Sequence, residues 1–161
     1  MTLLTATIGI AIPRLASFFR GRMLDSEARR VLALSRHAQA RATSEGVPMH
    51  LWVDVRNGRV GIEPDPSYQQ PSTSGQDTEI DSAIRLELSY SSENSARMDK
   101  SATSSGTGAA KKSSKLPAII FQPDGTIDPS SPDKLVLRDS DDHTVVVEKS
   151  RNRLTYEISG R

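Results

Sequence analysis

At 161 residues, with 35% hydrophobic and 4% aromatic side chains, the chain has material for one modest core and not for two. It contains no cysteine, which excludes a disulfide framework, a thiolate zinc site and a thiol nucleophile. The net charge of +1 hides an uneven spread: residues 1–60 carry nine Lys/Arg against four Asp/Glu, residues 61–100 three against eight, and residues 101–161 nine against eight.

Met1 to Ile12 is uncharged and apolar, its bulk supplied by Leu3, Leu4, Ile8, Ile10 and Ile12. A membrane span needs about 20 apolar residues, and Arg14 ends this run too early. A secretory signal would need a basic start and a small-residue cleavage site, and neither is here. Three readings stay open: the buried end of a core helix, an interfacial anchor, or part of a membrane helix whose beginning lies upstream of Met1. The third supplies the missing length and is preferred. Pro13 lacks a backbone N–H and is expected to kink or restart the helix. Leu15, Phe18 and Phe19 continue the apolar character, while Arg14, Arg20 and Arg22 form a basic cluster that marks the membrane boundary on this reading.

From Leu24, the residues Ala28, Val31, Ser35, Ala38 and Ala42 recur at steps of three and four and so share one helical face. A rod from Arg14 to Glu45 would be about 48 Å long, more than a domain of this size can cover. Part of it is therefore expected to be shared with lipid or other subunits. Small residues such as Ala28, Ser35, Ala38 and Ala42 would let neighbouring helices approach closely. Gly46 suits a left-handed cap, and Pro48 cannot continue the helix.

Met49 to Glu63 reads as a hairpin about Asn57-Gly58. Within it Trp52 falls opposite Leu51 and Val53 in the alternation and is assigned to the core. Pro64 to Ser82 is assigned to loop, and Ala83 to Tyr90 to a half-buried strand. Ser91 to Lys115 is built from Ser, Thr, Ala, Gly and Lys, too little apolar surface to offset ordering, and is expected to be a mobile loop. Strands follow at Leu116–Phe121, Leu135–Arg138, Thr144–Lys149 and Arg153–Ser159, with turns at Pro123–Thr126 and Asp139–His143. The predicted fold is α+β: a long N-terminal helix, then six or seven strands in an antiparallel β-sandwich. The parts are residues 1–46 as helix and 47–161 as β-rich domain.

Three histidines, His37, His50 and His143, fall on a helix, a strand and a turn, and none sits in a catalytic motif, so the chain reads as a non-enzyme without a cofactor. Asp139, Asp141 and Asp142 could offer hard oxygen ligands to calcium, but turn chemistry explains them without an ion. Lys111, Lys112 and Lys115, with Lys149, Arg151 and Arg153, could neutralise DNA phosphates; no aromatic residue alternates with them.

The run Ile8-Gly9-Ile10-Ala11-Ile12-Pro13, the stretch from Glu27-Ala28-Arg29-Arg30 through Ala38-Gln39-Ala40-Arg41-Ala42 to Gly46-Val47-Pro48, and the C-terminal Ile120-Phe121-Gln122-Pro123-Asp124-Gly125-Thr126 resemble the type IV pilin-like proteins, and within them the GspH/FimT family of minor pseudopilins. The resemblance implies a helix half in the bacterial inner membrane, crossing once, and a periplasmic β-sandwich. It implies a place near the tip of a type II secretion pseudopilus, with major and minor pseudopilins and secreted cargo as partners. The alternative it carries is a FimT-like type IV pilus subunit that binds DNA for uptake. Such proteins are processed after a glycine, with a glutamate shortly beyond, and methylated at the new N-terminus. That motif is missing here, so processing cannot be placed on any residue, and matching Pro13 to the family's helix proline puts the true start upstream. The stretch Ser91 to Lys115 is a second departure from the family pattern.

Overall fold

The computed structural model describes the backbone of residues 2–68, 75–90 and 116–160, with side chains from Gly21 onward. The predicted mobile stretch, Ser91 to Lys115, lies outside the described residues.

Helix α1 runs from Thr2 to Glu45 without interruption. The restart expected at Pro13 does not occur. A proline removes one backbone hydrogen bond and crowds the preceding turn, a local disturbance that a helix of 44 residues bridges. The helix ends where Gly46 adopts φ +66°, the left-handed region open to a residue without Cβ.

Two antiparallel sheets of four strands follow. The first contains β1 (Met49–Asp54), β2 (Arg59–Pro64), β3 (Gln76–Glu79) and β5 (Ala118–Phe121), in the order β3-β2-β1-β5. The second contains β4 (Arg85–Ser89), β6 (Lys134–Arg138), β7 (Thr144–Lys149) and β8 (Tyr156–Gly160), in the order β4-β6-β7-β8. The strand that sequence reasoning missed is β3, inside the stretch assigned to loop. Its four residues are polar and carry no alternation, so its pairing comes from the register of β2, Ile62 opposite Gln76 through Arg59 opposite Glu79. As an edge it presents Asp77 and Glu79, charges that discourage further strand addition. The last strand begins at Tyr156 rather than Arg153, because Arg153 takes φ 57° in the turn.

Alternation sorts the core. Met49, Leu51 and Val53 of β1, Leu135 and Leu137 of β6, and Val145 and Val147 of β7 are buried in one cluster with Leu24, Ala28, Val31, Ala38 and Ala42 of α1. Both sheets therefore close on the same helical stripe. Tyr156, 1% exposed, donates its hydroxyl to the carbonyl of Pro132. Burial first, then the nearby Asp133 and Tyr90, keeps that phenol neutral well above its ordinary range.

Trp52 corrects an expectation. It lies with His50 and Asp54 on the face of β1 away from the core, half-buried over Gly61. A Cβ at Gly61 would overlap the indole ring and come within 2.9 Å of the Gln76 carbonyl, so this glycine is a seat for the ring.

The outer edge of β5 is closed by the chain that follows it. The N–H of Ile120 donates to Ser131 Oγ at 2.9 Å, and its carbonyl accepts from the N–H of Asp128 at 2.9 Å. Ser131 is fully buried, which that bond makes tolerable.

Candidate functional site

The features that could carry function are the two faces of α1 and the turns that meet it. Leu24, Ala28, Val31, Ser35, Ala38 and Ala42 lie between 0% and 3% exposed, covered by the chain's own sheets. The reading of Ala28, Ser35, Ala38 and Ala42 as a face for neighbouring helices is thereby corrected. Small residues here admit β-strands of the same molecule close to the helix axis, so they are spent inside the domain. The single buried hydroxyl among them, Ser35 Oγ, donates back to the carbonyl of Leu32 at 3.1 Å.

The opposite face of α1 is open. Arg22, Ser26, Arg29, Ala33, Arg36 and Ala40 are exposed, and Arg29 pairs with Asp25 at 3.1 Å one turn earlier. Leu3, Leu4, Ile8, Ile10, Ile12, Leu15, Phe18 and Phe19 belong to the helix by backbone, and their side chains lie outside the described residues.

Gln39 joins the helix to both turn regions. Its Nε2 donates to the carbonyl of Gly125 at 2.7 Å and to that of Leu154 at 2.6 Å. One amide thus satisfies an acceptor between β5 and β6 and another between β7 and β8. Nothing in the periodicity marks Gln39, since its value depends on where two distant turns fall.

The β6–β7 turn is organised by Asp139, 4% exposed. Its Oδ1 accepts from the N–H groups of Asp141 at 2.8 Å and His143 at 3.0 Å, and its Oδ2 lies 3.0 Å from His143 Nδ1. Burial works to raise the carboxyl pKa, but the side-chain bond from His143 and the two backbone N–H bonds outweigh it, so the group sits below its ordinary value. The three aspartates Asp139, Asp141 and Asp142, weighed as calcium ligands from the sequence, do not converge on one point. Asp142 turns away with φ 63° to meet Arg138 at 3.3 Å, and the groups that do converge are Asp139, Asp141 and His143. Calcium wants six to eight oxygens, and the Asp139 oxygens are already taken by the turn.

The basic residues are also separated. Lys149, its side chain 8% exposed, places Nζ 2.6 Å from Asp133 Oδ1 and 3.2 Å from the carbonyl of Ser131, so it braces the β5–β6 loop and is not available to a phosphate. Arg151 and Arg153 are exposed in the β7–β8 turn, where Glu148 and Glu157 share a shallow groove with Arg151. Lys111, Lys112 and Lys115 lie outside the described residues. The histidines are dispersed: His37 on the open face of α1, His50 on β1 with Nε2 3.1 Å from Asp65 Oδ2, and His143 in its turn.

Where α1 leaves the domain, a groove of ≈ 370 Å³ opens between the helix and the start of β7. Gly21, Leu24 and Asp25 of the helix line it, with Asp142, His143, Thr144 and Val145 of the facing turn and strand. Among the described residues no helix is long and apolar enough to cross a membrane.

Neither a family model nor a curated protein matches the sequence. Two solved structures of the minor pseudopilin EpsH from the type 2 secretion system of Vibrio cholerae are similar to it. One gives a TM-score of 0.52 at 11% identity, covering 85% of this chain and 96% of that one. The other gives 0.52 at 12%, covering 87% and 96%. At such identity the likeness is one of fold: an N-terminal helix followed by two antiparallel sheets.

Proposed function

We propose that this chain is a minor pseudopilin of a type II secretion system, a structural subunit that assembles through its N-terminal helix and performs no chemistry of its own. The observation that carries the reading is the division of α1. From Leu24 to Ala42 its stripe belongs to the core of the β-domain, about 27 Å of a helix about 66 Å long. The remaining N-terminal part carries the uncharged lead Met1–Ile12, the apolar trio Leu15, Phe18 and Phe19, and the basic cluster Arg14, Arg20 and Arg22. Apolar surface of that length is stabilised by lipid or by other helices. The similarity in fold to EpsH supports the same reading, and the sequence resemblance narrows it to the GspH/FimT type.

On this reading the inner membrane holds the lead segment, the β-domain stands in the periplasm, and other pseudopilins are the partners. The functional boundary lies within α1 near Gly21, ahead of the helix end at Glu45. The FimT-like alternative loses support with Lys149, whose charge is used internally. Deleting residues 2–13 tests the proposal. The shortened chain should leave the membrane fraction and cease to copurify with other pseudopilins while its domain melts at an unchanged temperature. A full-length chain that is not retained by membranes and copurifies with none of them would overturn it.

A further inference from the structure

Directly opposed residues of a ladder share a face, so the registers of the first sheet determine what stands on its outer side, away from the core that holds α1. Trp52 is at the centre of that side, half-buried. It is opposed by Gly61 on β2 and by Ala118 on β5, so neither neighbouring strand raises a side chain tall enough to cover the indole beside it. One face of the ring rests on Gly61. Carboxylates bracket it along the strand. Two residues to one side, His50 is opposed by Glu63, with Asp65 Oδ2 3.1 Å from the imidazole Nε2. Two residues to the other side, Asp54 is opposed by Arg59, itself opposed by Glu79. Arg59 is the basic side chain among these strand positions, and Asp77, opposite Gly61, already engages it. Glu63 has no hydrogen-bond or ion-pair partner among the described residues. On a chain whose net charge is +1, the acidity of this face is a local arrangement.

We propose that this face binds a basic, extended segment of a partner protein, with one Lys or Arg side chain stacked on Trp52 and held by Glu63. An indole face beside carboxylates stabilises an ammonium or guanidinium through the ring quadrupole and the surrounding negative field together. Alternate residues of a strand repeat at about 6.6 Å, the interval that separates His50, Trp52 and Asp54 along β1. A ligand laid along β1 with cations at every second position therefore meets Glu63, the indole and Asp54 in turn. An acidic segment is repelled from the same surface. The contact is separate from assembly through α1, which packs on the opposite side of this sheet.

Trp52 is the chain's single tryptophan, so its emission reports the site directly. The full-length chain in uncharged detergent micelles, titrated at low salt with the peptide Ac-Arg-Ser-Arg-Ser-Arg-NH2, should show a saturable change in emission that is lost as salt rises. The peptide Ac-Glu-Ser-Glu-Ser-Glu-NH2 should leave the emission unchanged. By calorimetry, Trp52→Leu and Glu63→Gln should each weaken the arginine peptide about fivefold. Glu63→Gln removes a charge that no neighbour uses and should do so with no fall in melting temperature. Unchanged affinity in Glu63→Gln overturns the assignment, because the peptide then sits elsewhere, as does an emission that never responds. A response to cellohexaose and not to the arginine peptide gives the face to a saccharide and overturns it too. All of these are read on the chain by itself, so their failure leaves copurification with other pseudopilins, and the function proposed from it, untouched.

Discussion

Gln39 illustrates how much can depend on one side-chain amide. With Nε2 shared by the carbonyls of Gly125 and Leu154, Gln39→Leu leaves two acceptors without their donor and should cost about 1–3 kcal/mol, read from the urea midpoint. Gln39→Glu faces a carboxylate toward those same carbonyls. It should be worse than leucine at neutral pH, with the difference shrinking as acid protonates the new side chain. Asp139 gives the complementary pH test. Its carboxyl pKa is depressed in the folded chain, chiefly because hydrogen bonds overcome the effect of burial, so its contribution is fully present above the unfolded value of 3.8 and disappears as pH falls through the lower folded value. Asp139→Asn should therefore be less stable than the parent at pH 7, and the two unfolding midpoints should converge in acid below that range. Neither residue announced its role in the sequence. Asp139 was visible as an acid in a turn, but which oxygens meet which N–H groups follows only from the turn's conformation.

At the scale of elements, the helical stripe was legible to the residue and its use was not. The steps of three and four from Leu24 to Ala42 select six positions, and all six are buried. Periodicity reports that a face is covered without reporting by what, and here the cover is the chain's own two sheets. That changes the expected result of a substitution. Ala38→Leu pushes the helix from strands packed against a position with no exposed surface and should cost about 1–3 kcal/mol; Ala38→Glu places a charge there and should prevent folding. A thermal melt or a solubility assay checks both, and a variant folded like the parent counts against the packing. The hairpin β1–β2 was legible because Gly58, at φ 62°, follows strong alternation. The edge strand β3 was not, since an edge recruited by its neighbour's register needs no pattern of its own. Trp52 failed for a related reason: aromatic residues are usually core, but Gly61 opposite it creates a seat on the outer face, and that pairing depends on strand register.

For the whole molecule, the helix end and the domain boundary are different places. A fragment beginning at residue 47, where sequence alone divides the chain, lacks Leu24, Ala28, Val31, Ala38 and Ala42 and should not fold. One beginning at residue 21 retains the entire cluster and should melt cooperatively; circular dichroism with a temperature ramp distinguishes them. The common stripe has a mechanical consequence. Tension along the axis of α1 enters the two sheets together, loading the packed surface from Leu24 to Ala42 in shear. Pulling from Gly160 instead peels an outer strand one pair at a time. A tether at the front of the rod should thus bear more force before rupture than one at the tail.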